Sequence, residues 1–107
     1  VTRSAKPVAR DDANDLVLLK LDSDSELHLP ALKLEASSSV LHMHDPVLAF
    51  GHPNGWNKTY ISEGLVDGAA RLGDITKTPD PGENVERKVV AIQGHAEEGN
   101  SGGPVID

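Results

Sequence analysis

Apolar residues in this chain fall in short runs, each closed by turn-forming residues. Lys6 to Ala9 is the first run. Asp11, Asp12, Ala13 and Asn14 follow as a polar turn, and Asp15-Leu16-Val17-Leu18-Leu19-Lys20-Leu21 is the second run. Two apolar runs joined by a short Asp/Asn segment predict a β-hairpin, because Asp and Asn side chains bond the nearby backbone in turns. Asp22 to Glu26 is a solvated loop. Leu27 to Leu34 is extended but holds Pro30, so it suits an edge strand or a connection rather than a central strand. Pro46 to Phe50 predicts a strand ending in the turn residues Gly51-His52-Pro53-Asn54-Gly55. Thr59 to Val66 alternates loosely and predicts another. Thr78 to Asn84 is a Pro/Gly/Asp loop, Glu86 to Gln93 a strand, and Pro104 to Ile106 the start of one more. No stretch keeps a 3.6-residue apolar period long enough to predict a helix. Six or seven short strands at hairpin spacing describe an all-β barrel or sandwich.

Composition narrows this picture. With one Trp, one Tyr and one Phe among 107 residues, the core must be aliphatic. Hydrophobic residues at 37% and charged residues at 25% suit a soluble globular chain. The formal net charge of -7 and the lack of a Lys/Arg block leave no basic footprint for nucleic acid. There is no cysteine, hence no disulfide framework and no thiolate chemistry; that suits the cytosol and equally a bacterial exported protein. No apolar run approaches the length of a membrane span, and Val1 to Arg10 is too polar for a signal peptide. The missing initiator Met and the stop inside the apolar run at Val105-Ile106 suggest a piece of a longer protein. Its unfinished sheet edge would favour self-association.

Chemistry concentrates in Gly99-Asn100-Ser101-Gly102-Gly103-Pro104. A hydrolytic serine must stand on a tight turn with its hydroxyl exposed and backbone N–H groups aimed at one point, where an oxyanion develops. Glycines permit such a turn and a close approach of substrate. In that geometry the N–H groups of Gly99 and Ser101 form the oxyanion hole. On its own the string also describes an ordinary surface turn.

The segment Gly99 to Val105 resembles the nucleophile segment of trypsin-like serine proteases, especially the bacterial trypsin-like and HtrA-type branch. Asp11 to Leu21 is similar to that family's hairpin bearing the catalytic aspartate, which matches Asp15. Asp45 to Gly55 resembles the strand and turn opening the second barrel, and Ile61-Ser62-Glu63-Gly64-Leu65-Val66 the strand that follows. The four segments occur in the family's order and span most of the chain. The resemblance implies a trypsin-like double β-barrel present as a fragment. Residues 1–34 would be the end of the first barrel and the connection, and residues 35–107 a second barrel incomplete at its C-terminal end. It implies a serine endopeptidase in which Ser101 attacks the scissile carbonyl of a peptide or protein substrate and Asp15 orients a histidine, with no metal or cofactor. It slightly favours an exported, periplasmic or extracellular setting.

The chain departs from the family in one respect that matters. The family's histidine precedes the aspartate, yet none of residues 1–14 is His; His28, His42, His44, His52 and His95 all follow Asp15. Either the histidine lies upstream in a longer parent or the protein is an inactive, protease-like binding or scaffold module. On either view the 107 residues alone are expected to lack useful peptidase activity. The residue six before the nucleophile, matched here by His95, lines the base of the substrate pocket in the family. Glycine is usual near His44 there, which leaves the local turn open. Asp15 also suits a plain turn role. His42-Met43-His44, if extended, would put two imidazoles on one face and, with His52 or His95, could bind Zn²⁺; solvated surface histidines are the alternative. Asn57-Lys58-Thr59 matches a glycosylation sequon that matters only in a secreted eukaryotic protein.

Overall fold

The computed structural model describes residues 3–22, 28–37, 40–94 and 97–107. The chain forms two units. The first comprises Val1–Glu35 and Arg71–Arg87, the second Ala36–Ala70 and Lys88–Asp107.

In the first unit, β1 (Ala5–Asp11) pairs antiparallel with β2 (Leu16–Leu21), from Ala5 opposite Leu21 to Asp11 opposite Leu16. The register shifts between Pro7 and Ala9, so Val8 bulges beside a proline that has no N–H to give the ladder. This is the expected hairpin, two residues longer at the end of its first strand. Every residue of both strands is exposed, with Leu16 at 64% and Leu18 at 62%.

The segment Arg71–Arg87 belongs to the same unit. It opens with a single helical turn, α1 (Leu72–Ile75), which no apolar period foretold. Arg71 fixes its start: Nε and Nη2 donate to the two oxygens of Asp74, each at 3.1 Å, and Nη1 to Glu86 at 2.9 Å. Those two carboxylates, Asp74 first, push the Arg71 pKa above its ordinary value. The backbone then folds back, with Leu72 N–H donating to Arg87 O and Gly73 N–H to Val85 O. The expected loop from Thr78 to Asn84 carries Asn84 to the hairpin turn. There its N–H donates to Ala13 O (2.7 Å) and its Nδ2 to Asn14 Oδ1 (2.9 Å).

The second unit is one sheet in the order β5-β4-β3-β6, with β3 (Pro46–Gly51), β4 (Tyr60–Arg71), β5 (Lys88–Gly94) and β6 (Val105–Ile106). β3 pairs antiparallel with β4, from Pro46 opposite Leu65 to Gly51 opposite Tyr60, and on its other edge with β6. Pro46 stands at the first position of its strand, where a missing N–H does least harm. Among the described residues, the buried aliphatic side chains apart from Pro53 are Val47 (5% exposed) and Val66 (2%).

β4 runs five residues past the expected end at Val66. Its less exposed face carries Ser62, Gly64, Val66, Gly68 and Ala70. Small side chains give almost no hydrophobic alternation, which hid the extension. Their size has a cause at Gly64, where a Cβ would run into the Ile92 side chain. The described part of Leu27–Leu34 forms no strand.

Candidate active site

Ser101 lies on the loop from β5 to β6, which is built from two successive turns. Asn100 N–H donates to Glu97 O (3.2 Å), and Gly103 N–H donates to Asn100 O (2.9 Å). Gly99 (φ +102°) and Gly102 (φ +79°) occupy the third position of these turns. A positive φ at that position is the mark of a type II turn and favours glycine. Ser101 is therefore the second residue of its turn, and it is exposed. Among the described residues, neither the Gly99 N–H nor the Ser101 N–H has a hydrogen-bond partner.

The loop is pressed against the end of β3 with almost nothing between the two backbones. A Cβ on Gly103 would strike Phe50 O, one on Gly99 would strike His52 O, and one on Gly51 would strike the Asn100 side chain. Pairing continues past the strands: Phe50 N–H donates to Pro104 O (3.0 Å), His52 N–H to Gly99 O (3.2 Å) and Asn54 N–H to Glu98 O (2.9 Å). A cavity of about 280 Å³ opens beside Ser101, walled by apolar Val47, Phe50, Ile92 and Val105 and by polar Glu97 and Asn100. The Asn100 Oδ1 is buried without a partner among the described residues.

Asp15 closes the hairpin turn immediately before β2. Its backbone is left-handed (φ +56°), its N–H donates to Asp12 O (3.3 Å), and it is exposed. The turn is fastened by Asp11, which accepts from the Asn14 N–H (3.2 Å) and the Asn14 carboxamide (2.8 Å). These bonds, the side-chain one first, hold the Asp11 carboxyl below its usual pKa. Asp15 belongs to the first unit and Ser101 to the second.

The other candidates fare differently. His95 lies outside the described residues. His42-Met43-His44 is a turn rather than an extended stretch, which removes the basis for two imidazoles on one strand face. His44 there has φ +70°, the left-handed conformation that glycine adopts at least cost. The Asp45 carboxylate accepts the His42 N–H (2.7 Å), and among the described residues no group of three or more His, Cys, Asp or Glu could hold a metal. His52 is engaged at both nitrogens, with Trp56 O at 2.9 Å and Thr59 Oγ1 at 3.4 Å. Sequence patterns marked Gly51–Gly55 only as a turn; no local signal could announce its bonds to a loop some 45 residues away.

A β-rich chain with an exposed serine in the second of two successive glycine turns narrows the choice of family. The chain belongs to the trypsin-like peptidase domain family, whose family model matches residues 1–107. It is 30% identical over 104 residues to the serine protease Do-like HtrA of Lactococcus lactis subsp. cremoris, covering 96% of this chain and 24% of that protein. It is 27% identical over 106 residues to the chloroplastic protease Do-like 5 of Arabidopsis thaliana, covering 99% of this chain and 30% of that protein. Among solved structures, it matches the inactive form of the Rv3671c protease of M. tuberculosis with a TM-score of 0.73 at 28% identity, over 96% of this chain and 48% of that one. Deg5 matches with a TM-score of 0.68 at 27% identity, over 98% and 46%. The fold is thus that of HtrA- and Deg-type protease domains, and the chain spans about a quarter of the first of these curated relatives and about half of the solved chains.

Proposed function

We propose that the protein is a serine endopeptidase acting on peptide or protein substrates through an acyl-enzyme. The observation that carries this reading is the Ser101 turn: an exposed hydroxyl at a cavity mouth, with the N–H groups of Gly99 and Ser101 unspent among the described residues. Ser101 Oγ attacks the scissile carbonyl while a histidine from outside these 107 residues takes its proton. The two N–H groups receive the oxyanion, and the histidine then protonates the leaving amine. Water then attacks the acyl carbonyl as the same histidine takes its proton, and that proton passes to Ser101 Oγ as the carboxylic acid leaves. Asp15 fixes the tautomer of that histidine and stabilises its cation. Names of the relatives support this reading, since HtrA and Do-like proteins are called serine proteases.

Hydrolysis of a peptide library by the full-length gene product tests the reading. Ser101→Ala is expected to lower kcat by about 10⁶, and Asp15→Asn by about 10⁴ with the fold intact. A folded wild type that cleaves nothing would instead mark a protease-like binding module.

A further inference from the structure

We infer that Asn54 is a positioning residue for the Ser101 turn; the inference rests on reading Ser101 as the nucleophile. Asn54 is not in the glycine-rich segment, yet it bonds that loop twice. Its N–H donates to Glu98 O (2.9 Å) and its Nδ2 to Glu97 Oε2 (3.4 Å). Both acceptors lie just before Gly99, whose N–H is one of the two oxyanion donors. Glu98 O and the Gly99 N–H belong to one peptide unit, so the Asn54 N–H fastens that donor's own peptide, and His52 N–H to Gly99 O fastens the next one.

The backbone of Asn54 makes this possible. Gly55 N–H donates to His52 O (3.2 Å) and Trp56 N–H to Pro53 O (3.1 Å), so two turns overlap at Pro53-Asn54-Gly55. Asn54 has φ +54° and Gly55 φ +71°. Two consecutive left-handed residues turn the chain away immediately after the Asn54 N–H, which faces Glu98 O. Asparagine tolerates this conformation better than other residues with a Cβ. With Gly51 and Gly99 removing side chains from the contact, the His52–Asn54 segment is a template on which residues 97–99 are laid. An error there displaces the oxyanion donors, and such displacement affects the transition state more than ground-state binding.

Asn54→Gly keeps the left-handed backbone and loses the carboxamide; Asn54→Ala loses both; Asn54→Asp keeps the shape and sets a second carboxylate against Glu97. Each would be made in the full-length gene product, with active sites counted by a fluorophosphonate before turnover is measured. The expected result is a kcat per titrated site about tenfold lower for Ala, with KM within about twofold. Gly restores kcat to within about threefold of wild type, and the Asp variant's deficit relative to wild type at the same pH narrows as pH falls toward the carboxylate range. An Ala variant with wild-type kcat per site overturns the inference, as does a loss confined to the number of titrated sites. Failure of the wild type to label overturns the Ser101 reading itself, and is seen before any Asn54 variant is compared.

Discussion

Asp15 and Ser101 both stand at turns beside a short strand, but the two turns are held in different ways. The Asp15 turn is held largely by side chains, with two backbone bonds beside them. Asp11 grips Asn14, and Asn84 bonds Ala13 and Asn14. Its flanking strands bury nothing. The Ser101 turn is held by backbone on backbone, with Gly51, Gly99 and Gly103 making room, beside a sheet that buries Val47 and Val66. A polar turn survives any change that keeps its hydrogen bonds. A glycine-packed turn survives no change that adds an atom, which suits a site whose donors must stay within tenths of an ångström.

That contrast can be broken by substitution, with effects read by urea unfolding of the 107-residue chain. The largest effect is expected at Gly103→Ala, where the added methyl meets Phe50 O; a loss of about 3 kcal/mol follows from overpacking. A neutral Gly103→Ala would mean that the loop shifts freely and that the backbone template is soft. Val66→Ala comes next, at about 2 kcal/mol for two buried methyls and the cavity they leave. Val17→Ala, on a 55% exposed side chain of the hairpin, should cost less than about 0.5 kcal/mol. Equal costs at positions 66 and 17 would erase the distinction between the units.

The smallest effect concerns pH. Bonds from Asn14 lower the Asp11 pKa in the folded state relative to the unfolded chain. The stabilisation is therefore fully present above the ordinary Asp value and is lost as pH falls through the lower, folded value. Hairpin amide protection, taken relative to the intrinsic exchange rate at each pH, should fall over that acidic window, and Asp11→Asn should remove the pH dependence.

The elements legible in the sequence were those marked by punctuation. Asp and Asn announced the hairpin turn, and Pro and Gly announced the ends of β3 and the Ser101 loop, because these residues act on their own backbone. The extension of β4 was not legible, since its less exposed positions, Gly68 and Ala70, are too small to give a hydrophobic alternation. Helix α1 was missed for a different reason: its start depends on Arg71 meeting Glu86, fifteen residues on. At the site, Ser101 and its two glycine turns could be read from six residues. Asn54 could not, because its φ of +54° is ordinary turn chemistry until Glu98 is seen opposite it.

The most direct measurement is covalent labelling of the full-length gene product with a fluorophosphonate, with the modified residue mapped by mass spectrometry. A serine activated by a general base and facing two free N–H donors should be labelled once per chain, at Ser101, and Ser101→Ala should not be labelled at all. A folded protein that takes no label, or takes it at another residue, would contradict the assignment of Ser101 as the nucleophile.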